Sequence, residues 1–123
     1  MGSPRTSLRL PSTPEAARIA RCAVRRTWGR DVADEPLDTL LLCVSELVSN
    51  AVEHGGPPVV LHVGDAADGI LVEVLDGGGG RPEQRDPAPD AVRGRGLQLV
   101  DGLASRWGVD HGRETTRVWA TFS

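Results

Sequence analysis

Residues 37–54 read LDTLLLCVSELVSNAVEH, and how this stretch divides into two faces decides what the chain can be. At about 100° per residue, Leu37, Leu40, Leu41, Val44, Leu47, Val48, Ala51 and Val52 gather on one side of a helix. With Glu46 taken as zero, Asn50 falls at about 40°, Glu53 at about −20° and His54 at about 80°, all on the opposite side. The apolar stripe predicts a helix from about Leu37 to Glu53 packed on a sheet. His54, Gly55, Gly56, Pro57 and Pro58 then end it, because glycine and proline interrupt helical hydrogen bonding. The plainest reading of the polar stripe is a solvated outer face. Asn50 argues for more, since asparagine is a modest helix former that competes for backbone hydrogen bonds. Its amide oxygen suits Mg²⁺, a hard cation that takes oxygen ligands and keeps several waters. Glu46, one turn earlier, is placed to accept a proton from a nucleophile beside that ion.

If the stripe is half of a metal-phosphate site, the other half must bind phosphate, and two glycine-rich segments qualify. Asp76-Gly77-Gly78-Gly79-Gly80 follows a strand-like run directly, so the backbone can turn sharply and approach a ligand without Cβ clashes. Asp76 at the strand end suits a hydrogen bond from an exocyclic amine. Gly94-Arg95-Gly96-Leu97 opens a helical pattern, and the free amides and positive dipole end of a helix start favour an anion. The alternatives are a flexible loop for the first and an ordinary loop-to-helix junction for the second. Neither is a Walker A motif, which needs GK[ST], and the strand, turn and helix of a dinucleotide fingerprint are not contiguous here.

Working outward, VVLHVGD (59–65) and ILVEVLD (70–76) flank Ala66-Ala67-Asp68-Gly69 and read as a β-hairpin whose dense apolar runs predict strands buried on both faces or nearly so. Ser12 and Glu15 have capping-box spacing and predict a helix to about Trp28, with Ala16, Ile19, Ala20, Ala23, Val24 and Thr27 on its buried side. Pro36 suits the first turn of the long helix, and Ser7–Leu10 is a possible edge strand. The stretch 77–93, rich in Gly, Pro and charge, predicts a loop. Leu97, Val100, Leu103 and Ala104 restore helical spacing toward Gly108, and 115–122 alternates as a last strand. The order predicts an α/β fold, a two-layer sandwich with helices on one face of a mixed, mostly antiparallel sheet. Residues 1–12 form a short leading segment and 13–123 a single domain.

The 123 residues, 39% hydrophobic and 25% charged, suit one compact core. A net charge of −3 argues against a nucleic-acid footprint. All 14 basic residues are Arg, a bias to which no function attaches. Cys22 and Cys43 lack metal-ligand spacing and read as buried small hydrophobes in a reduced, cytoplasmic protein, and no apolar span of membrane length occurs. His54 either orients a phosphate-bound water or caps its helix; Glu53, His62 and His111 read as solvated or structural. Trp28, Trp107 and Trp119 read as packing or partner contacts, since base stacking would need basic surroundings.

Taken together, Glu46–His54, Asp76–Gly80 and Gly94–Leu97, in this order, resemble the N box, the D-x-G-x-G box and the G-x-G-L box of the GHKL family of ATP-binding domains, the Bergerat fold. The likeness spans roughly residues 37 to 122. It implies that Asn50 holds Mg²⁺, that Asp76 reads the adenine amino group of ATP, and that Gly78 and Gly80 shape the adenine pocket. It implies further that Gly94, Gly96 and Leu97 border the phosphates, that Thr116 supports Asp76 through water, and that about 81–93 is the ATP lid. Either Arg93 or Arg95 would neutralise γ-phosphate charge. A Glu opening the N box on so short a chain resembles the anti-sigma-factor serine kinases of bacteria. The implied role of Glu46 is then the base that activates a serine on an anti-anti-sigma (STAS) protein, with a sigma factor as a further partner. A homodimer is also implied, without direct nucleic-acid or membrane contact. The alternative within the resemblance is a non-catalytic ATP-binding regulator that sequesters its partner. The lid departs from the family pattern in having no Lys, only Arg81, Arg85 and Arg93.

Overall fold

The computed structural model describes residues 4–67, 69–78 and 98–123. Its elements run β1 (Pro4–Leu10), α1 (Ala16–Trp28), α2 (Asp34–His54), β2 (Val59–Ala66), β3 (Gly69–Asp76), a helical stretch at 98–103, β4 (Arg106–His111) and β5 (Thr116–Phe122). The five strands lie in the order β1-β2-β3-β5-β4, and each pairing is antiparallel. The mostly antiparallel sheet expected from the sequence is therefore antiparallel throughout the described residues.

Helix α2 buries Leu37, Leu40, Leu41, Cys43, Val44, Leu47, Val48 and Ala51, which is the apolar stripe read from the sequence with Cys43 added and Val52 only half-buried. Burying each such aliphatic side chain contributes roughly 1.5–3 kcal/mol. These side chains meet Val59, Leu61 and Val63 of β2, Val72 and Val74 of β3, and Val118 and Ala120 of β5 in one core. Helix α1 adds Ala16, Ala20, Val24 and Trp28 to it. The Arg5 guanidinium stacks 3.6 Å from the Trp28 ring centroid and pairs with Asp31 at 2.7 Å and Asp65 at 3.2 Å. Strand β1 is thereby tied to the end of α1 and to the β2–β3 hairpin.

Four expectations are corrected. Helix α1 carries no side-chain cap. A turn closed by the Ala16 amide donating to the Thr13 carbonyl at 3.0 Å precedes it, which leaves Ser12 too far out to form the box. The strands have one buried face, not two. Burial on β2 alternates strictly over Val59–Gly64, and Leu71, Leu75 and Trp119 are only half-buried because helices cover the other side. On that open face Arg117 pairs with Glu73 at 2.6 Å and Asp110 at 2.7 Å. Cys22 is exposed, while Cys43 is buried. Finally, helical spacing does not extend to Gly108. The helical stretch ends at Leu103, and the Ser105 amide donates to the Thr121 carbonyl at 2.7 Å, opening the β4–β5 ladder. Trp107 and Val109 then alternate as β4, opposite Ala120 and Val118. Among the described residues, no helix is long and apolar enough to cross a membrane.

Candidate functional site

Glu46 and Asn50 sit half-buried one turn apart on α2, and Glu53 is exposed beyond them. Burial and then the negative charge of Glu46 push the nearby Cys43 thiol up to about 11, so this cysteine stays protonated and acts as core. His54 closes the helix with its Nε2 3.8 Å from Glu53 Oε1. The Gly55 amide then donates to the Ala51 carbonyl at 2.9 Å, completing the last helical turn.

What lies just past that turn joins the two halves of the site. Asp76, the last residue of β3, is only 4% exposed. A buried carboxylate requires hydrogen-bond partners, and the Gly78 amide donates to its Oδ1 at 2.8 Å. The Gly77 amide donates to the Gly56 carbonyl at 2.6 Å, so the loop after β3 is clasped to the exit of α2. Close approach excludes a Cβ at Gly55, Gly77 and Gly78, the Gly77 one by the Pro57 carbonyl. A Cβ on Gly78 would strike the backbone of Gly55 and Gly56, and one on Gly55 would strike the Asp76 carboxylate. Asn50 lies about 7.5 Å along the helix axis before Gly55, the residue that abuts Asp76.

Thr116 opens β5 and is the direct cross-strand partner of Asp76, and only 1% of it is exposed. Directly opposed residues bring their Cβ atoms to about 4.5–5.5 Å, so Thr116 is an immediate neighbour of Asp76 in the sheet. The same row continues to His111, the partner of Thr116 on β4. His111 is exposed, in keeping with its reading as solvated or structural, and only the sheet register puts it in this row. Sequence reasoning passed over Gly55, treating HGGPP as a helix stop. Gly80, Arg93, Gly94, Arg95, Gly96, Leu97 and the segment 81–93 lie outside the described residues.

Among the described residues, no group of three His, Cys, Asp or Glu side chains could hold a metal ion. A lone, half-buried asparagine oxygen fits a different arrangement, in which Mg²⁺ arrives with a nucleotide and takes its remaining ligands from phosphate and water.

The end of α2 thus meets a buried aspartate at a strand end, with a glycine clasp between them and antiparallel strands behind. Over residues 9–122 the chain matches the family described as "Histidine kinase-like ATPase domain", and it belongs to that family. ATP binding comes with that membership. Among solved structures, it is similar to the RsbU and RsbW domains of Rv1364c from Mycobacterium tuberculosis, with 27% identity and a TM-score of 0.72 over 94% of this chain. The match spans 31% of that longer chain. The fold is also shared with the histidine kinase domain of the blue-light activated histidine kinase EL346 from Erythrobacter litoralis, at 24% identity and a TM-score of 0.57, covering 98% of this chain and 69% of that one.

Proposed function

We propose that this protein is a cytoplasmic ATP-dependent protein serine kinase that phosphorylates an anti-anti-sigma (STAS) partner and so controls a sigma factor. The observation that carries this reading is the placement of Glu46 one turn before Asn50 on a helix whose end abuts Asp76. A nucleotide whose adenine amine is read by Asp76, supported by Thr116, would extend its phosphates toward Asn50. Gly78 and Gly80 would shape the adenine pocket, and Gly94, Gly96, Leu97 and one of Arg93 or Arg95 would face the phosphates. Mg²⁺, held by Asn50 and phosphate oxygens, would supply charge neutralisation at the β- and γ-phosphates.

Glu46 would then serve as the base for an incoming serine hydroxyl. The serine Oγ forms the new bond to the γ-phosphorus as the bond from that phosphorus to the bridging oxygen breaks. ADP leaves with the bonding pair, and the hydroxyl proton passes to the Glu46 carboxylate. The likeness to a structure containing an RsbW domain supports a regulatory partner, as does the resemblance to anti-sigma-factor kinases. In the same reading the working form is a homodimer.

The test is transfer of label from γ-labelled ATP to a serine of a candidate STAS protein. Acid-stable phosphoserine that forms only with Mg²⁺ is the expected product. ATP binding without transfer to any such partner would leave the non-catalytic, sequestering regulator in its place.

A further inference from the structure

We infer that Gly55 is a positioning residue for the base-reading carboxylate: the missing side chain at this position is what lets Asp76 lie against the end of α2. This inference rests on the proposed role of Asp76 and adds a residue to it. The usual reason for glycine after a helix is a left-handed backbone, and that reason fails here. Gly55 has φ −101° and ψ −154°, an extended conformation open to residues with a Cβ. Space is the remaining reason. A Cβ built on Gly55 falls under 3.0 Å from Asp76 Cγ, Oδ1 and Oδ2 together. A methyl group there and the carboxylate in its present place are mutually exclusive.

The carboxylate also has little freedom to yield. It is buried and takes the Gly78 amide on Oδ1. Gly78 itself is pressed on the backbone of Gly55 and Gly56, and Gly77 is bonded to the Gly56 carbonyl. A side chain at 55 must therefore swing the carboxylate away from the bond it makes to a base. The adjacent glycine supplies the control. A Cβ on Gly56 comes no nearer than 3.6 Å to anything, an ordinary contact.

The experiment is a double-mutant cycle of Gly55→Ala with Asp76→Ala, read by calorimetric affinity for ATP and for inosine triphosphate, whose 6-oxo group cannot donate as the adenine amine does. Gly55→Ala should weaken ATP by about tenfold or more, the scale of a lost charge-assisted hydrogen bond, and leave inosine triphosphate within about twofold. In the Asp76→Ala background, where the carboxylate is gone, Gly55→Ala should change neither affinity. Gly56→Ala should bind ATP as the wild type does. An equal loss for both nucleotides, or a loss that adds to that of Asp76→Ala, overturns the positioning role and leaves the reading of Asp76 intact. If Asp76→Ala alone leaves ATP affinity unchanged, the reading of Asp76 fails and this inference falls with it. Should Gly55→Ala not fold, recovery of the fold in the double variant supports the inference, and failure of both variants to fold overturns it.

Discussion

Glu46→Ala is expected to slow phosphoryl transfer by roughly 10² to 10⁴, the usual contribution of a general base, while ATP affinity and partner binding stay near those of the wild type. The separation follows from where the residue stands. Glu46 is on the outer stripe of α2, one turn from the proposed Mg²⁺ ligand Asn50 and further still from Asp76, which ends β3 beyond the helix exit. It makes no contribution to the buried cluster, so its truncation removes a proton acceptor and little else. In energy the effect is about 2.7–5.5 kcal/mol on the barrier. Single-turnover rates with saturating partner would measure it free of product release. An unchanged rate would remove the carboxylate from the chemistry.

One position along the same helix the expectation reverses. Leu47→Ala should destabilise the fold by about 2–5 kcal/mol, the range for emptying a buried leucine site, out of a total of about 5–15 kcal/mol for a domain. Leu47 is 1% exposed and belongs to the cluster that joins α2 to β2, β3 and β5. Urea unfolding should show a lower midpoint with an unchanged slope, since the surface exposed on unfolding is nearly the same. The two neighbouring substitutions thus divide the helix into a half that holds the fold and a half available for chemistry. A loss of under about 1 kcal/mol for Leu47→Ala would mean that the inner face of α2 is not sealed on the sheet.

That division was legible in the sequence because it is periodic. An apolar residue every three or four positions fixed which side of α2 is buried, and Glu46 and Asn50 then had to lie on the other. The β2–β3 hairpin was legible for the same reason, through its turn residues and β-branched runs. Where local signals compete, the reading failed. Val100, Leu103 and Ala104 have helical spacing up to the residues that open β4, and only pairing with β5 decides that Trp107 and Val109 are strand. Ser12 and Glu15 have the spacing of a capping box, but Pro14 lies in a turn that carries the chain past it before α1 begins. The adjacency of Thr116 to Asp76 depends on strand register between segments about forty residues apart, and it entered through family resemblance, not through pattern. Gly55 was missed because glycine after a helix already has a local explanation. Its nonlocal cause, the space taken by Asp76, exists only once the chain is folded.

The central claim is that Asn50 and Asp76 border one nucleotide site, with Asn50 on its metal-phosphate side. Calorimetry of ATP and ADP binding with and without Mg²⁺, on the wild type and on Asn50→Ala, tests it most directly. The wild type should bind ATP markedly tighter with Mg²⁺ than without. Asn50→Ala should lose that enhancement and keep the metal-free affinity, since the base contact at Asp76 is untouched. An Asn50→Ala protein that still tightens on ATP with Mg²⁺ as the wild type does would contradict the account.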